Sequence, residues 1–229
     1  MSTYTIAEIG STHMGKEDYV KASIEAASEA GFSAVKFQLF PNKEEYTHTG
    51  NVHMSGHLFE IAYKFANEWG IDCSASVFGE NEFQFLKQFV PPFIKLAYSK
   101  QKNRSWIEEC IDASIDAIVS CDFMTIDAVP NRATKLYCVP QYPVVYELAF
   151  DGVFPKFDGF SDHTIGFRQT SIAVEEGAKV IEKHVSIQRK DIKCPDYRFA
   201  ATFADAKNFH AQLKNLERKR DGESSSVRI

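Results

Sequence analysis

Two short runs hold the residue types with the most chemistry in this chain. Gly159-Phe-Ser-Asp-His-Thr-Ile-Gly166 puts Ser161 and His163 on one side of an extended segment, and Thr164 and Gly166 suit the turn that follows. Val180-Ile-Glu-Lys-His-Val185 repeats the arrangement with Glu182 and His184, and the helical pattern before it marks the next strand of a β-α-β unit. Adjacent parallel strands lie about 4.8 Å apart. Imidazoles at matching heights on them could meet one divalent metal at about 2.1 Å each. The plain alternative is a pair of unrelated surface or core histidines.

The polar residues of the other strand-like runs follow the same parity. In Val35-Lys-Phe-Gln-Leu-Phe40, Lys36 and Gln38 share one face, while Val35, Phe37 and Leu39 take the other. In Phe93–Ser99, Lys95 and Ser99 fall on one side, with Ile94, Leu96 and Tyr98 opposite. Glu8 sits between apolar Ala7 and Ile9, and Ser120 shares a side with Asp122. Burying so many polar and ionisable groups is unfavourable unless they pair or meet a ligand or metal. A purely structural ion-pair cluster is the alternative.

The elements that must position these residues alternate regularly. Strand patterns cover Thr5–Gly10, Ala34–Phe40, Asp72–Phe78, Phe93–Tyr98, Ala117–Phe123, Lys135–Tyr142, Gly159–Thr164 and Val180–Val185. Helical patterns cover Glu17–Ala30, Ser55–Trp69, Glu80–Phe89, Arg104–Ile115, Gln169–Glu176 and Phe203–Leu216. The connections Met124–Thr134 and Val144–Phe157 have room for a short helix at most. This order predicts an α/β chain folded as one (β/α)8 TIM barrel over residues 1–217, with a flexible tail at 218–229. A doubly wound open sheet is the alternative. Polar groups gathered on one side of barrel strands belong at the C-terminal rim, where barrel sites are built.

With 229 residues, 44% of them hydrophobic, the chain can bury a full core. A net charge of -5 argues against a general nucleic-acid or anionic-membrane binder, so any anion site must be local. The five cysteines are odd in number, lack C-x-x-C spacing and fall mainly in apolar runs, which reads as reduced thiols in a cytoplasmic protein. No export signal or membrane-spanning run is visible in the sequence.

Taken in order, these residues resemble the N-acetylneuraminate (sialic acid) synthase family. Ile6-Ala-Glu-Ile-Gly-Ser-Thr-His-Met-Gly15 is similar to the family's I-A-E-I-G-x-N-H-x-G, and Ala30-Gly-Phe-Ser-Ala-Val-Lys-Phe-Gln38 to its A-G-A-D-A-V-K-F-Q. Pro92-Phe-Ile-Lys95, Tyr142-Pro143, Ser161-Asp-His-Thr-Ile-Gly166 and Ile181-Glu-Lys-His184 follow where that pattern expects them. The resemblance implies a barrel that condenses phosphoenolpyruvate with an N-acetylated aldose, releasing phosphate and a nine-carbon 2-keto acid. It implies a divalent metal on His163 and His184, Mn2+ first and Mg2+ or Co2+ as substitutes. Lys36 and Lys95, with hydroxyls from Ser99, Ser120 and Ser161, then form an anion cradle for phosphoenolpyruvate. Glu8 is the candidate for proton transfer or for gripping the reacting end of the sugar. Gln38, Tyr142 and Asp196 would contact the acetamido sugar, and Glu182 would support His184 or the attacking water.

Departures from the family pattern bear on substrate rather than fold. Thr12 replaces an asparagine, and Tyr98 stands where a serine is expected, with Ser99 one place late. Cys121-Asp-Phe123 replaces T-G-M, and Pro140 replaces a sugar-binding asparagine. Family members usually continue into an antifreeze-like domain, and this sequence ends before one, which leaves the aldose and the assembly, homodimer or otherwise, open. The rival readings are condensation with a different aldose and a non-catalytic sugar-binding relative. The loop Thr47–His57, with His48, His53 and His57, matches no zinc spacing and is expected to be a solvated loop near the sugar.

Overall fold

The computed structural model describes residues 2–41, 50–187 and 194–222. Eight parallel strands close on themselves: β1 (Tyr4–Glu8), β2 (Ala34–Leu39), β3 (Asp72–Val77), β4 (Phe93–Leu96), β5 (Asp116–Cys121), β6 (Thr134–Cys138), β7 (Gly159–Asp162) and β8 (Val180–Ser186). Each pairs with the next, and β1 pairs with β8, so the expected (β/α)8 barrel is the fold. A two-residue β9 (Ala201–Thr202) pairs in parallel with the last residues of β8, Val185 and Ser186. The helices are α1 (Glu17–Ala30), α2 (Gly56–Glu68), α3 (Glu80–Lys87), α4 (Arg104–Asp112), α5 (Arg168–Glu175) and α6 (Phe203–Arg220). Among the described residues no helix is long and apolar enough to cross a membrane.

Local chemistry sets the helix ends. Ser55 caps α2 by accepting from the Leu58 N–H at 3.2 Å, and Thr202 with Asp205 forms a reciprocal capping box at the start of α6. Gly31 ends α1 in the left-handed region at φ 97°, a conformation that favours glycine. The last helix runs to Arg220, three residues into the stretch read as a flexible tail, and Arg220 donates to Thr3 Oγ1 at 3.0 Å. The remainder of that stretch, 223–229, lies outside the described residues.

Strand alternation divides the core in two. Outward residues such as Val35, Phe37, Ile94, Val119, Phe160 and Ile181 are fully or almost fully buried against the helices. Each such side chain contributes about 1.5–3 kcal/mol when removed from water. Inside the barrel, Ile6, Ala34, Phe93, Ile118 and Leu136 form a separate apolar floor. Gly159 belongs to this floor, because a Cβ there would sit 2.0 Å from the Val180 carbonyl oxygen. One inward step further along the strands, the composition changes completely.

Candidate active site

Two residues beyond the apolar floor, the inward positions are Glu8 on β1, Lys36 on β2, Lys95 on β4, Ser120 on β5, Cys138 on β6, Ser161 on β7 and Glu182 on β8. They line a cavity of about 230 Å3 at the C-terminal mouth, together with Gln38, Tyr142, His163 and His184. Register explains the convergence: Glu8 pairs with Lys36 and with His184, and Ser161 pairs with Glu182. A polar layer on an apolar plug gives a site that is dry below and open above.

The two lysines bracket one carboxylate. Lys36 Nζ lies 3.5 Å from Glu182 Oε2, and Lys95 Nζ lies 3.5 Å from Glu182 Oε1. Lys36 also forms a close ion pair with Glu8 and donates to Ser76 Oγ at 2.6 Å, while Lys95 donates to Ser120 Oγ at 2.7 Å. Ser161 donates to Glu182 Oε1 at 2.8 Å. Burial pushes the Glu182 carboxyl up, but Lys36 and Lys95 outweigh that and hold it down at about 2. Burial lowers the Lys36 ammonium to about 8 against the pull of Glu182. Glu8 Oε1 is buried and makes no hydrogen bond within the described residues, so it is placed to accept a proton or a hydroxyl from a ligand.

The imidazoles of His163 and His184 stand 5.7 Å apart, centre to centre. His163 Nδ1 lies 2.9 Å from the Val139 carbonyl oxygen, a bond that puts the ring proton on Nδ1 and leaves Nε2 with its lone pair. His184 Nδ1 is buried without a hydrogen-bond partner. Burial first, then the neighbouring His163 ring and Lys36, drives His184 well below its ordinary value, and burial takes His163 to about 4. Both rings are therefore neutral at pH 7, the state that binds metal. Among the described residues no group of three or more His, Cys, Asp or Glu completes a metal cage. Two neutral imidazoles with an orphaned ring nitrogen fit a centre that keeps its other positions for water and substrate.

Tyr142, more than half exposed, lies over His163 with ring centres 4.0 Å apart. Past it, a second cavity of about 310 Å3 shares Gln38, Tyr142 and His184 with the first and adds Asn51, Asp196, Arg198 and Phe199. Asp196 accepts from the Ser11 N–H at 2.7 Å and reaches that position because Gly10, at φ 52°, leaves space where a Cβ would lie 2.3 Å from Asp196 Oδ2. Burial raises the Asp196 carboxyl to about 6, against the Ser11 N–H and Lys36.

The model of the NeuB family matches residues 23–225. The chain belongs to the NeuB family. It is 28% identical to pseudaminic acid synthase of Campylobacter jejuni, over 93% of this chain and 74% of that one. It is 26% identical to N,N'-diacetyllegionaminic acid synthase of Legionella pneumophila, over 95% and 73% respectively. The crystal structure of spore coat polysaccharide biosynthesis protein SpsE from Bacillus subtilis superposes with a TM-score of 0.83 at 25% identity, covering 99% of this chain and 71% of that one.

For this NeuB-family chain, every site residue named from the sequence lies in one of two adjoining cavities. The first takes all of them except Asp196, which lines the second. Three readings need correction. The strand expected to reach Tyr98 ends at Leu96, and a 3-10 turn over Tyr98–Lys100 breaks its alternation. Tyr98, assigned to the helix side, therefore lines the first cavity beside an exposed Ser99. Asp122 does not extend the inward face of Ser120 but accepts from Tyr98 Oη at 2.7 Å and from Thr125 Oγ1 at 2.7 Å in the turn after β5. The loop read as solvated is so only in part: Ser55 and His57, the latter the second residue of α2, are exposed, but Met54 is buried and His53 Nδ1 sits 3.1 Å from the Phe40 carbonyl oxygen. Thr47 and His48 lie outside the described residues. Sequence reasoning missed Ser76, although its parity on β3 signals the inward face, and Phe78, one residue beyond that strand; it also missed Asn51, in a loop, and Arg198, at the end of a 3-10 turn, neither of which has a periodicity to read.

Proposed function

We propose that this chain condenses phosphoenolpyruvate with an N-acetylated aldose to give a nonulosonic acid and inorganic phosphate. The observation that carries this reading is the convergence of two buried ammonium groups and two neutral imidazoles on one small cavity. Lys36 and Lys95 seat the phosphate and carboxylate of the enol phosphate, with hydroxyls of Ser120, Ser161 and the rim residue Ser99 supplying further donors. Gln38, Tyr142, Asp196 and Arg198 hold the acceptor in the second cavity, so the aldehyde meets C3 of phosphoenolpyruvate beside His184. His163 and His184 would hold a divalent metal, Mn2+ first, whose contribution when bound is to polarise the aldehyde oxygen.

The bond between C3 and the aldehyde carbon forms as the enol π pair is used, and water adds at C2 before phosphate leaves with its oxygen. Glu8, with a free buried oxygen next to Lys36, is the group to move the proton of the forming hydroxyl or of that water. Glu182 keeps both ammonium groups at fixed positions, and its low pKa keeps it charged throughout.

Incubation with phosphoenolpyruvate, Mn2+ and N-acetylmannosamine or its diacetamido relatives should release phosphate, with a product heavier than the acceptor by one pyruvate unit. Bound metal and bound phosphoenolpyruvate without phosphate release for any of these acceptors sinks the reading and favours a sugar-binding relative.

A further inference from the structure

Every inward residue of β7 and β8 has an outward neighbour. Between Ser161 and His163 lies Asp162, and between Glu182 and His184 lies Lys183, the two paired directly in register. Both side chains are completely buried on the helix side, with Lys183 Nζ 3.0 Å from Asp162 Oδ2. Thr164 N–H donates to Asp162 Oδ1 at 2.7 Å, Thr170 on α5 donates to Oδ2, and Lys183 donates to the Thr164 carbonyl. The network closes around His163: the residues on both sides of it in sequence are held, and both bonds lead to the strand that carries His184.

Nothing in this network lines either cavity. Phe160, Ile181 and Val185 share this outward face in the apolar core, Lys183 Nζ lies 6.0 Å from the Phe167 ring centre, and replacing a buried ion pair by a hydrophobic pair is often neutral or stabilising. Packing alone therefore gives no reason for two buried charges here. What an ion pair with directional hydrogen bonds adds is a fixed distance between two backbones at one height.

We propose that Asp162 and Lys183 are positioning residues, a brace behind β7 and β8 that fixes the spacing of the His163 and His184 rings so that both reach one divalent metal. This rests on reading those rings as metal ligands. Loss of the brace weakens metal binding more than anion binding, because both imidazoles depend on β7 and β8 whereas the two ammonium groups of the cradle stand on β2 and β4 and only Ser161 and Glu182 share the braced strands.

The test is the Asp162→Asn/Lys183→Met double variant, which removes both charges together and keeps an acceptor for the Thr164 N–H. Mn2+ affinity is measured by titrating free Mn2+ with electron paramagnetic resonance, and phosphoenolpyruvate affinity by calorimetry in chelator. Partners that bond and orient metal ligands are typically worth about 10- to 100-fold in metal affinity, and the brace, which acts one step further back, is expected to weaken Mn2+ binding by about 10-fold, clearly more than any change in phosphoenolpyruvate affinity. Unchanged Mn2+ affinity overturns the brace, and so does parallel loss of both affinities. Failure of the unaltered protein to bind Mn2+ instead overturns the metal reading beneath it. Should the double variant not fold, Thr170→Val, which frees one bond to Asp162, is expected to weaken Mn2+ binding in the same direction, and an unchanged value there overturns the brace.

Discussion

Replacing Lys95 by methionine tests the anion cradle most directly. The variant keeps the length of the stem and removes the ammonium that sits 2.7 Å from Ser120 Oγ and 3.5 Å from Glu182 Oε1. Glu182 is not abandoned, because Ser161 at 2.8 Å and Lys36 at 3.5 Å still hold it. Breaking a buried pair costs about 3–5 kcal/mol, and the remaining partners put this case at the lower end. For a chain of this size, about 3 kcal/mol lowers Tm by roughly 6–12 °C. The functional effect is larger in consequence. The polar layer holds two ammonium groups against the carboxylates of Glu8 and Glu182, so removing one cation leaves an anionic site for an anionic substrate. A hydrogen bond to a charged group contributes about 1.5–3 kcal/mol, which corresponds to about 10- to 140-fold in KM for phosphoenolpyruvate. Steady-state phosphate release, varying each substrate with the other saturating, separates the two sites. The KM for the acceptor should stay near that of the unaltered protein. An unchanged KM for phosphoenolpyruvate with a lowered kcat, or an equal rise in both KM values, refutes the assignment of Lys95 to the cradle.

Arg198→Ala should raise KM for the acceptor and leave KM for phosphoenolpyruvate unchanged, since Arg198 lines only the second cavity; the opposite pattern in the same assay refutes its assignment to the sugar. Lys36→Met alone strips Glu8 of its cation and should destabilise the fold by about 3–5 kcal/mol, whereas the Glu8→Leu/Lys36→Met double should recover most of that and remain inactive. Urea melts and phosphate release together check both halves. Burial, then His53, lowers His13 from 6.5 to about 4, and its Nδ1 accepts from the Gly15 N–H at 2.9 Å. Between those values the unfolded chain binds the extra proton, so stability rises with pH there and falls on acidification, by on the order of 2 kcal/mol at pH 5. The difference between urea midpoints at pH 7 and pH 5 should shrink in His13→Asn.

Much of this architecture is legible because a barrel strand obeys a two-residue period. Ile6 to Glu8, Ala34 to Lys36, Phe93 to Lys95 and Ile118 to Ser120 each step from the apolar floor to the polar layer, and each step is visible in the sequence. The rule fails where the strand stops. Tyr98 lies two residues past the end of β4, where a 3-10 turn rotates successive side chains by about 120° rather than 180°. Asp122 fails for the same reason, one residue beyond β5. Asp196 is legible only through the family resemblance, since its place against Ser11 depends on the positive φ of Gly10, far away in the chain. No pattern marks Arg198, which enters the second cavity from a four-residue 3-10 turn.

The energetic cost of the polar layer is itself an argument about function. A barrel that needed only to fold could continue the floor of Ile6, Phe93, Ile118 and Leu136 upward with more apolar side chains. Instead the next inward positions hold Glu8, Lys36, Lys95 and Glu182, each at most 4% exposed. Their contacts nearly balance: two ammonium groups face two carboxylates, and Ser76, Ser120 and Ser161 bond to the remaining atoms. What is left over is specific. Both carboxylate oxygens of Glu8, Glu182 Oε2 and His184 Nδ1 are buried without a hydrogen bond among the described residues, Glu8 Oε2 and Glu182 Oε2 having only their ion pairs to Lys36, and all three residues line the first cavity. A buried acceptor without a donor is unfavourable, and a ligand that supplies donors or a cation removes that cost. The layer is thus arranged around a bound state, with its incomplete bonding concentrated where His184 meets the anion cradle.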